Sequence, residues 1–197
     1  MKIKELNYKD SNQIAKLHLE SFPGFFLSKL GHGFLVVFYK SIIKNSNSIN
    51  LGVFENNILV GFAIGSVKRE SFYKTLLKEN FFQLSFSLLK PIIVNPSNII
   101  KLLKSFKSSN NKINIKDSAI LLSICVNPNS HIKGVGTVLV KEFEKEIFQY
   151  SNTLVLTTDS LSNDKVNSFY IRNGYNLYSQ FFQSKRLMNV YVKNKIK

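Results

Sequence analysis

The stretch from Ile124 to Thr137 reads Ile-Cys-Val-Asn-Pro-Asn-Ser-His-Ile-Lys-Gly-Val-Gly-Thr and constrains the fold more than any other. An apolar run ends in a turn, two glycines follow with one residue between them, and an amphipathic helix begins. That order delivers a helix N-terminus, bare of side chains, at the end of a strand. Free backbone N–H groups and the positive end of the helix dipole suit a phosphate there. Glycines ahead of a helix also serve as simple turn residues, so this motif alone does not decide between a turn and an anion site.

The 197 residues suit one domain, or one domain with an insertion. Hydrophobic residues make up 44%, which argues for a packed globule over a disordered chain. A formal charge of +15 fits a nucleic-acid, anionic-membrane or phosphate-rich partner, or simply a solvated basic surface. No run of Lys and Arg is dense enough for a nucleic-acid arm. The single cysteine, Cys125, excludes an internal disulfide and most metal-cluster schemes, and its apolar surroundings read as a buried packing thiol. No metal is expected. Met1-Lys-Ile-Lys-Glu lacks the apolar core of a signal peptide, and no apolar run approaches the roughly twenty residues that cross a bilayer. A cytoplasmic protein is the expectation, with no nucleic-acid partner and no stable membrane insertion.

Taken in order, a short strand at 2–7 leads to a helix that Asp10 or Ser11 can cap, with Ile14, Leu17 and Phe22 on its apolar side. Pro23-Gly24 ends it, and Ser28 caps a second helix from about Lys29 to Lys44. The aromatic connection between them, Phe22 to Leu27, is either a staple between helices or a wall of a substrate pocket. A hairpin turns on Asn56-Asn57, with Gly61 as a bulge or close approach. From Lys68 to Asp117 the alternation breaks, with ten basic residues against three acids. Two or three helices broken at Pro91 and Pro96 are expected, then a polar loop from Ser108 to Asn114. Such a basic amphipathic unit could cover a pocket, dimerise, or rest on a membrane surface. Ser118 to Val126 reads as the central strand. Gly134 to Tyr150 is a helix with Glu144 facing outward, Thr153 to Thr158 a strand, and Asn163 to Asn173 a helix stopped by Gly174. An antiparallel pair closes the chain.

The second informative stretch is Asn163-Asp-Lys-Val-Asn-Ser-Phe169-Tyr170-Ile-Arg-Asn-Gly174-Tyr175. With His131-Ile-Lys-Gly134-Val-Gly136 and the preceding Val126-Asn-Pro128, it resembles the GNAT acetyltransferase superfamily. His131 departs from the Gln or Arg usual at that point, and Val166 and Tyr175 are conservative departures. The resemblance covers Ser118 to about Val192 closely. It implies an α/β (α+β) fold: a mixed, mostly antiparallel, twisted and splayed sheet of about seven strands flanked by helices. It also implies one domain over residues 1–197, with a helical insertion at about 69–116 between the third and fourth strands.

The same resemblance implies acetyl-CoA as co-substrate. Backbone groups of Ile124 and Val126 would hold the pantetheine arm. His131, Ile132, Lys133, Gly134, Val135, Gly136 and Thr137 would hold the pyrophosphate, with Lys133 and Arg172 adding charge or serving as surface cations. Asn163 would bond the pantetheine or cap its helix, and Tyr170 would protonate the departing thiolate. For the base that frees the acceptor amine, Asp159, Glu20, His18 and a water chain are all open, and Asp159 is the one chosen. Phe25, Phe26 and His32 are the substrate-binding candidates. Cys125 looks ill placed for an acetyl-enzyme, so transfer is direct. His18-x-x-Ser21-Phe22-Pro23 with Phe26-Leu27-Ser28-x-Leu30-Gly31 resembles a branch common in bacterial surface-polysaccharide loci, which implies an amino-sugar or nucleotide-linked amino-sugar as acceptor. Protein N-termini, polyamines, aminoglycosides and a non-catalytic acyl-CoA-binding module are the alternatives, and a homodimer stays open.

Overall fold

The computed structural model describes residues 1–94 and 113–196, the side chains from 89 to 94 excepted. Its centre is a seven-stranded sheet in the order β1-β2-β3-β4-β5-β7-β6. The strands are β1 (Lys2–Glu5), β2 (Ser48–Glu55), β3 (Ile58–Ser66), β4 (Ala119–Val126), β5 (Thr153–Asp159), β6 (Asn176–Gln183) and β7 (Arg186–Asn194). Among the described strands only β4 and β5 pair in parallel. The mixed, mostly antiparallel sheet is therefore the one expected, with β4 fourth of seven. Asn56 and Asn57 both take positive φ (47° and 64°) in the β2–β3 turn, as a tight hairpin demands.

Two helical layers cover the sheet. On one face lie α1 (Ser11–Ser21), α3 (Gly31–Ile43) and α4 (Arg69–Val94), packed through Ile14, Phe34, Phe38, Leu76 and Phe62. On the other, α5 (Val135–Ile147) sets Val135, Leu139, Phe143 and Ile147 against Val53, Ala63 and Leu156. α6 (Asp164–Arg172) contributes Tyr170 to the same cluster. On β3, Phe62 and Ile64 face the first layer while Ala63 faces the second, the two-residue period of a strand buried on both sides.

Several local expectations are corrected. Neither Asp10 nor Ser11 caps α1 with its side chain. Asn7 instead caps a 3-10 turn at Tyr8–Asp10, and the Asp10 carboxylate accepts from Asn7 N at 2.8 Å. Ser28 caps nothing: it sits in a one-turn helix, α2 (Phe26–Lys29), and donates to Phe22 O at 2.7 Å. α3 then starts at Gly31, whose φ of +84° favours glycine. The break expected at Pro91 falls at Asn80, where φ is −122° and the side chain donates back to Leu76 O at 3.1 Å. Glu144 faces inward, 7% exposed, and takes a 2.6 Å bond from Lys193. The expected break at Pro96, the helix around residues 99–106 and most of the polar loop lie outside the described residues.

Gly65 shows how tightly the centre is packed. A Cβ there would lie 2.2 Å from the Ile120 carbonyl oxygen and 2.5 Å from Phe143 Cζ. Backbone cannot step aside, so Gly65→Ala should lower stability by about 2–3 kcal/mol and the midpoint of thermal unfolding by roughly 5–10 °C. Calorimetric melting of the variant beside the parent checks this.

Candidate active site

β4 and β5 pair over three residues only, Ala119 to Leu121 with Leu154 to Leu156. Beyond that each keeps its other neighbour: β4 follows β3 to Val126, and β5 follows β7 to Asp159. The β3–β4 register slips between Ile64 and Gly65, leaving Leu122 as the extra residue. A bulge bends and twists the strand that carries it, and this one sits where contact with β5 stops. The strands therefore diverge, and β4 from Leu122 to Val126 has no strand partner on that side among the described residues.

The gap is a cleft of about 590 Å³, walled by β4 and β5 and closed by Phe22, Phe25, Phe26, Phe169 and Tyr170. Of the residues singled out in the sequence, the cleft gathers Ile124, Val126, Gly136, Asp159, Asn163, Tyr170, Phe25 and Phe26. At its edge Gly134 takes φ +80° and starts α5, and no side chain caps that helix. The N–H groups of its first turn are thus available to an anion. Ile132 N is not among them, since it already donates to Ser130 Oγ at 3.2 Å. His131 and Lys133 are exposed, and neither they nor Gly134 and the buried Val135 line this cleft or the cavity beside it. Thr137 and Arg172 border a second cavity of about 750 Å³ with Lys141, and Phe169 walls both. His32 is exposed on the first turn of α3, outside both cavities.

Tyr170 is 6% exposed and still reaches the cleft. Edge-to-face contacts with Phe169 and Tyr175, at 5.3 and 5.5 Å between centroids, hold its ring. Burial pushes its phenol well above the ordinary tyrosine value, so the hydroxyl keeps its proton at neutral pH. Burial also pushes the Cys125 thiol up to about 12, which removes it as a nucleophile.

Asn163 sits at the N-cap position of α6 yet does not cap it. Its amide donates to Thr158 Oγ1 at 2.9 Å and Asp159 O at 3.1 Å, tying the helix start to the end of β5. The Asp159 carboxylate is not free: Arg186 donates to both its oxygens, at 2.8 and 2.5 Å. A carboxylate so engaged is not a ready base. Glu20 is exposed and outside the cleft.

A polar chain crosses the opposite wall. His18 Nδ1 lies 2.7 Å from the Tyr39 hydroxyl, which donates to Ser123 Oγ at 3.3 Å. His18 Nε2 is buried with no hydrogen-bond partner among the described residues. These residues lie 21 and 84 positions apart, so no local pattern announces the chain. A second missed network sets Asn167 between Asn189 and Tyr191, at 3.0 and 3.2 Å, and pins α6 to β7.

A seven-stranded sheet splayed between its parallel strands, with an uncapped helix at the mouth of the splay, is the fold of the GNAT acetyltransferases. Solved structures agree. A coenzyme A complex of an aminoglycoside 6'-N-acetyltransferase superposes with a TM-score of 0.63 at 16% identity, covering 100% of this chain and 98% of that one. The ribosomal-protein-S18-alanine N-acetyltransferase of Escherichia coli gives 0.61 at 14%, covering 98% and 92%. The PaiA N-acetyltransferase of Thermoplasma acidophilum, in complex with coenzyme A, gives 0.58 at 15%, covering 98% of each chain. No sequence-family profile and no curated protein sequence matches the chain.

Burial lowers the His18 imidazole to about 4. The unfolded chain, with a histidine near 6.5, takes up that proton first. The contribution of the neutral ring is therefore complete above pH ~6.5 and lost as pH falls from there towards ~4, on the order of 3 kcal/mol. His18→Gln should flatten the fall in melting temperature across this window, as thermal scans in matched buffers would register.

Proposed function

We propose that the chain is an acetyl-CoA-dependent N-acetyltransferase that moves the acetyl group directly to a primary amine of a small molecule. The observation that carries this reading is the parting of β4 from β5, which leaves a bare strand edge between an uncapped helix N-terminus and a buried phenol. The pantetheine arm is a short chain of amides, and the free edge from Leu122 to Val126 offers it strand-like pairing. The first turn of α5, from Val135 to Thr137, suits the pyrophosphate, and Lys141 and Arg172 beside the second cavity suit the nucleotide end. The co-substrate supplies an activated acetyl thioester whose sulfur leaves as a thiolate.

Tyr170 then acts as general acid. Burial keeps the phenol protonated at neutral pH, so a proton is at hand for the sulfur as the C–S bond breaks, and the phenolate regains one from water afterwards. The protonated Cys125 supports direct transfer. Asn163 keeps its amide on β5 and has its side-chain oxygen left for the pantetheine. The acceptor enters past Phe25 and Phe26. An amino-sugar, nucleotide-linked, is the acceptor we favour, because aromatic rings pack against sugar and base faces and the +15 charge suits a diphosphate. One domain over 1–197 with an insertion at about 69–116, working in the cytoplasm, completes the reading.

Tyr170→Phe should lower kcat by about 100-fold. The stabilisation of the protein by acetyl-CoA in a thermal shift should barely change, since the ring and its contacts stay. Release of free thiol against a panel of amines measures the first quantity. An undiminished rate would remove Tyr170 from the chemistry, and no shift at millimolar acetyl-CoA would sink the whole reading.

A further inference from the structure

The acceptor end of the cleft is poor in acid. Of the twelve Asp and Glu residues in the chain, Asp159 alone lines it among the described residues. Residues 95–112 hold no Asp or Glu, so that segment can add none wherever it lies. Against the one carboxylate stand two cations on the same walls, Lys165 and Arg186. Arg186 opens β7 at the hairpin rim, with its guanidinium 5.2 Å from the ring centre of Phe25. It holds Asp159 through a two-pronged bridge. The bridge is half open to water: the arginine side chain is 44% exposed and the aspartate 21%. Exposed ion pairs are weak, and the guanidinium fork fits a phosphate or carboxylate of an incoming molecule as well as it fits Asp159.

Resting on the acetyltransferase reading above, we propose that Arg186 anchors an anionic group of the acceptor, and that Asp159 is its placeholder in the empty cleft. When the acceptor's anion takes the fork, the Asp159 carboxylate is released within the same cleft to face the ammonium of that same acceptor. The substrate class is then a small amine carrying a phosphate or carboxylate, its body stacked on Phe25. Polycationic amines are excluded. They would meet two cations, and a single acid that could be freed only by leaving Arg186 without a counter-charge.

The test uses the full chain saturated with coenzyme A and titrated calorimetrically with four probes: glucosamine, glucosamine 1-phosphate, muramic acid and spermidine. The expected result is that at least one anionic probe binds ten-fold or more tighter than glucosamine, while spermidine shows no saturable binding. The phosphate and carboxylate arms tell which anion the site takes. Arg186→Gln should reduce the preferred anionic probe to the affinity of glucosamine, and Arg186→Lys, which keeps the charge without the fork, should retain part of the preference. Equal affinity of the neutral and anionic probes, absence of binding by all four, tightest binding of spermidine, or a preference that survives Arg186→Gln would each overturn the proposal. The stabilisation by acetyl-CoA is read on the same variants. Its persistence confines a failure to the acceptor, and its absence in the parent would instead refute the acetyltransferase reading.

Discussion

Three residue pairs between β4 and β5, followed by none, govern everything else in this molecule. Full pairing would bury the backbone of β4 in sheet hydrogen bonds on both sides and leave no cleft. No pairing would separate the two halves of the sheet. The compromise is maintained from outside the gap. β3 grips β4 as far as Val126, and β7 grips β5 as far as Asp159, so neither strand can relax towards the other. The Leu122 bulge sets where they part. The crossover through α5 brings that helix's N-terminus to the same end, because a parallel pair needs a connection that returns across the face. Topology thus brings the first turn of α5 and the strand edge together, at the carboxyl ends of parallel strands where open sheets bind ligands.

The walls of the cleft decide what chemistry survives inside it. Tyr170, Cys125 and His18 are all held in their uncharged forms by burial. A neutral phenol retains a proton it can donate, a neutral thiol is a poor nucleophile, and a neutral imidazole can share a hydrogen bond without adding charge. Low dielectric favours an attack in which charge develops briefly at one place and is quenched there. Charged groups are kept to the rim, where Arg186, Asp159 and Lys165 meet water.

Much of this was legible in the sequence because it is local. Gly134 before α5, Asn56-Asn57 in the hairpin and Gly174 after α6 each answer a backbone demand that few residues meet. The spacing of Asn163, Phe169 and Tyr170 along one helix brings all three to the cleft. What the sequence hid was pairing across long separations. Asp159 reads as a base until Arg186, 27 positions on, is seen to occupy it. Glu144 reads as a surface residue on helical period until Lys193 meets it from β7. Ser28 reads as a cap by residue type, but the short turn of α2 sends its hydroxyl back to Phe22. Asn80 outweighs Pro91 as the break in α4 because a side-chain amide can bind the carbonyl four residues back, a competition that period and composition do not reveal.

The positive charge of the chain completes the argument. A net +15 spread over an outer surface would steer any polyanion, and steering alone confers no specificity. Selectivity arises where that field meets fixed geometry. The first turn of α5 presents N–H groups in a set direction, and the Arg186 fork presents two parallel donors over an aromatic face. Salt at ~0.1 M screens the field beyond about 10 Å, but a fork against an oxyanion at hydrogen-bond distance is screened far less. The broad charge would therefore serve encounter, while the two ordered donor sets would decide what stays.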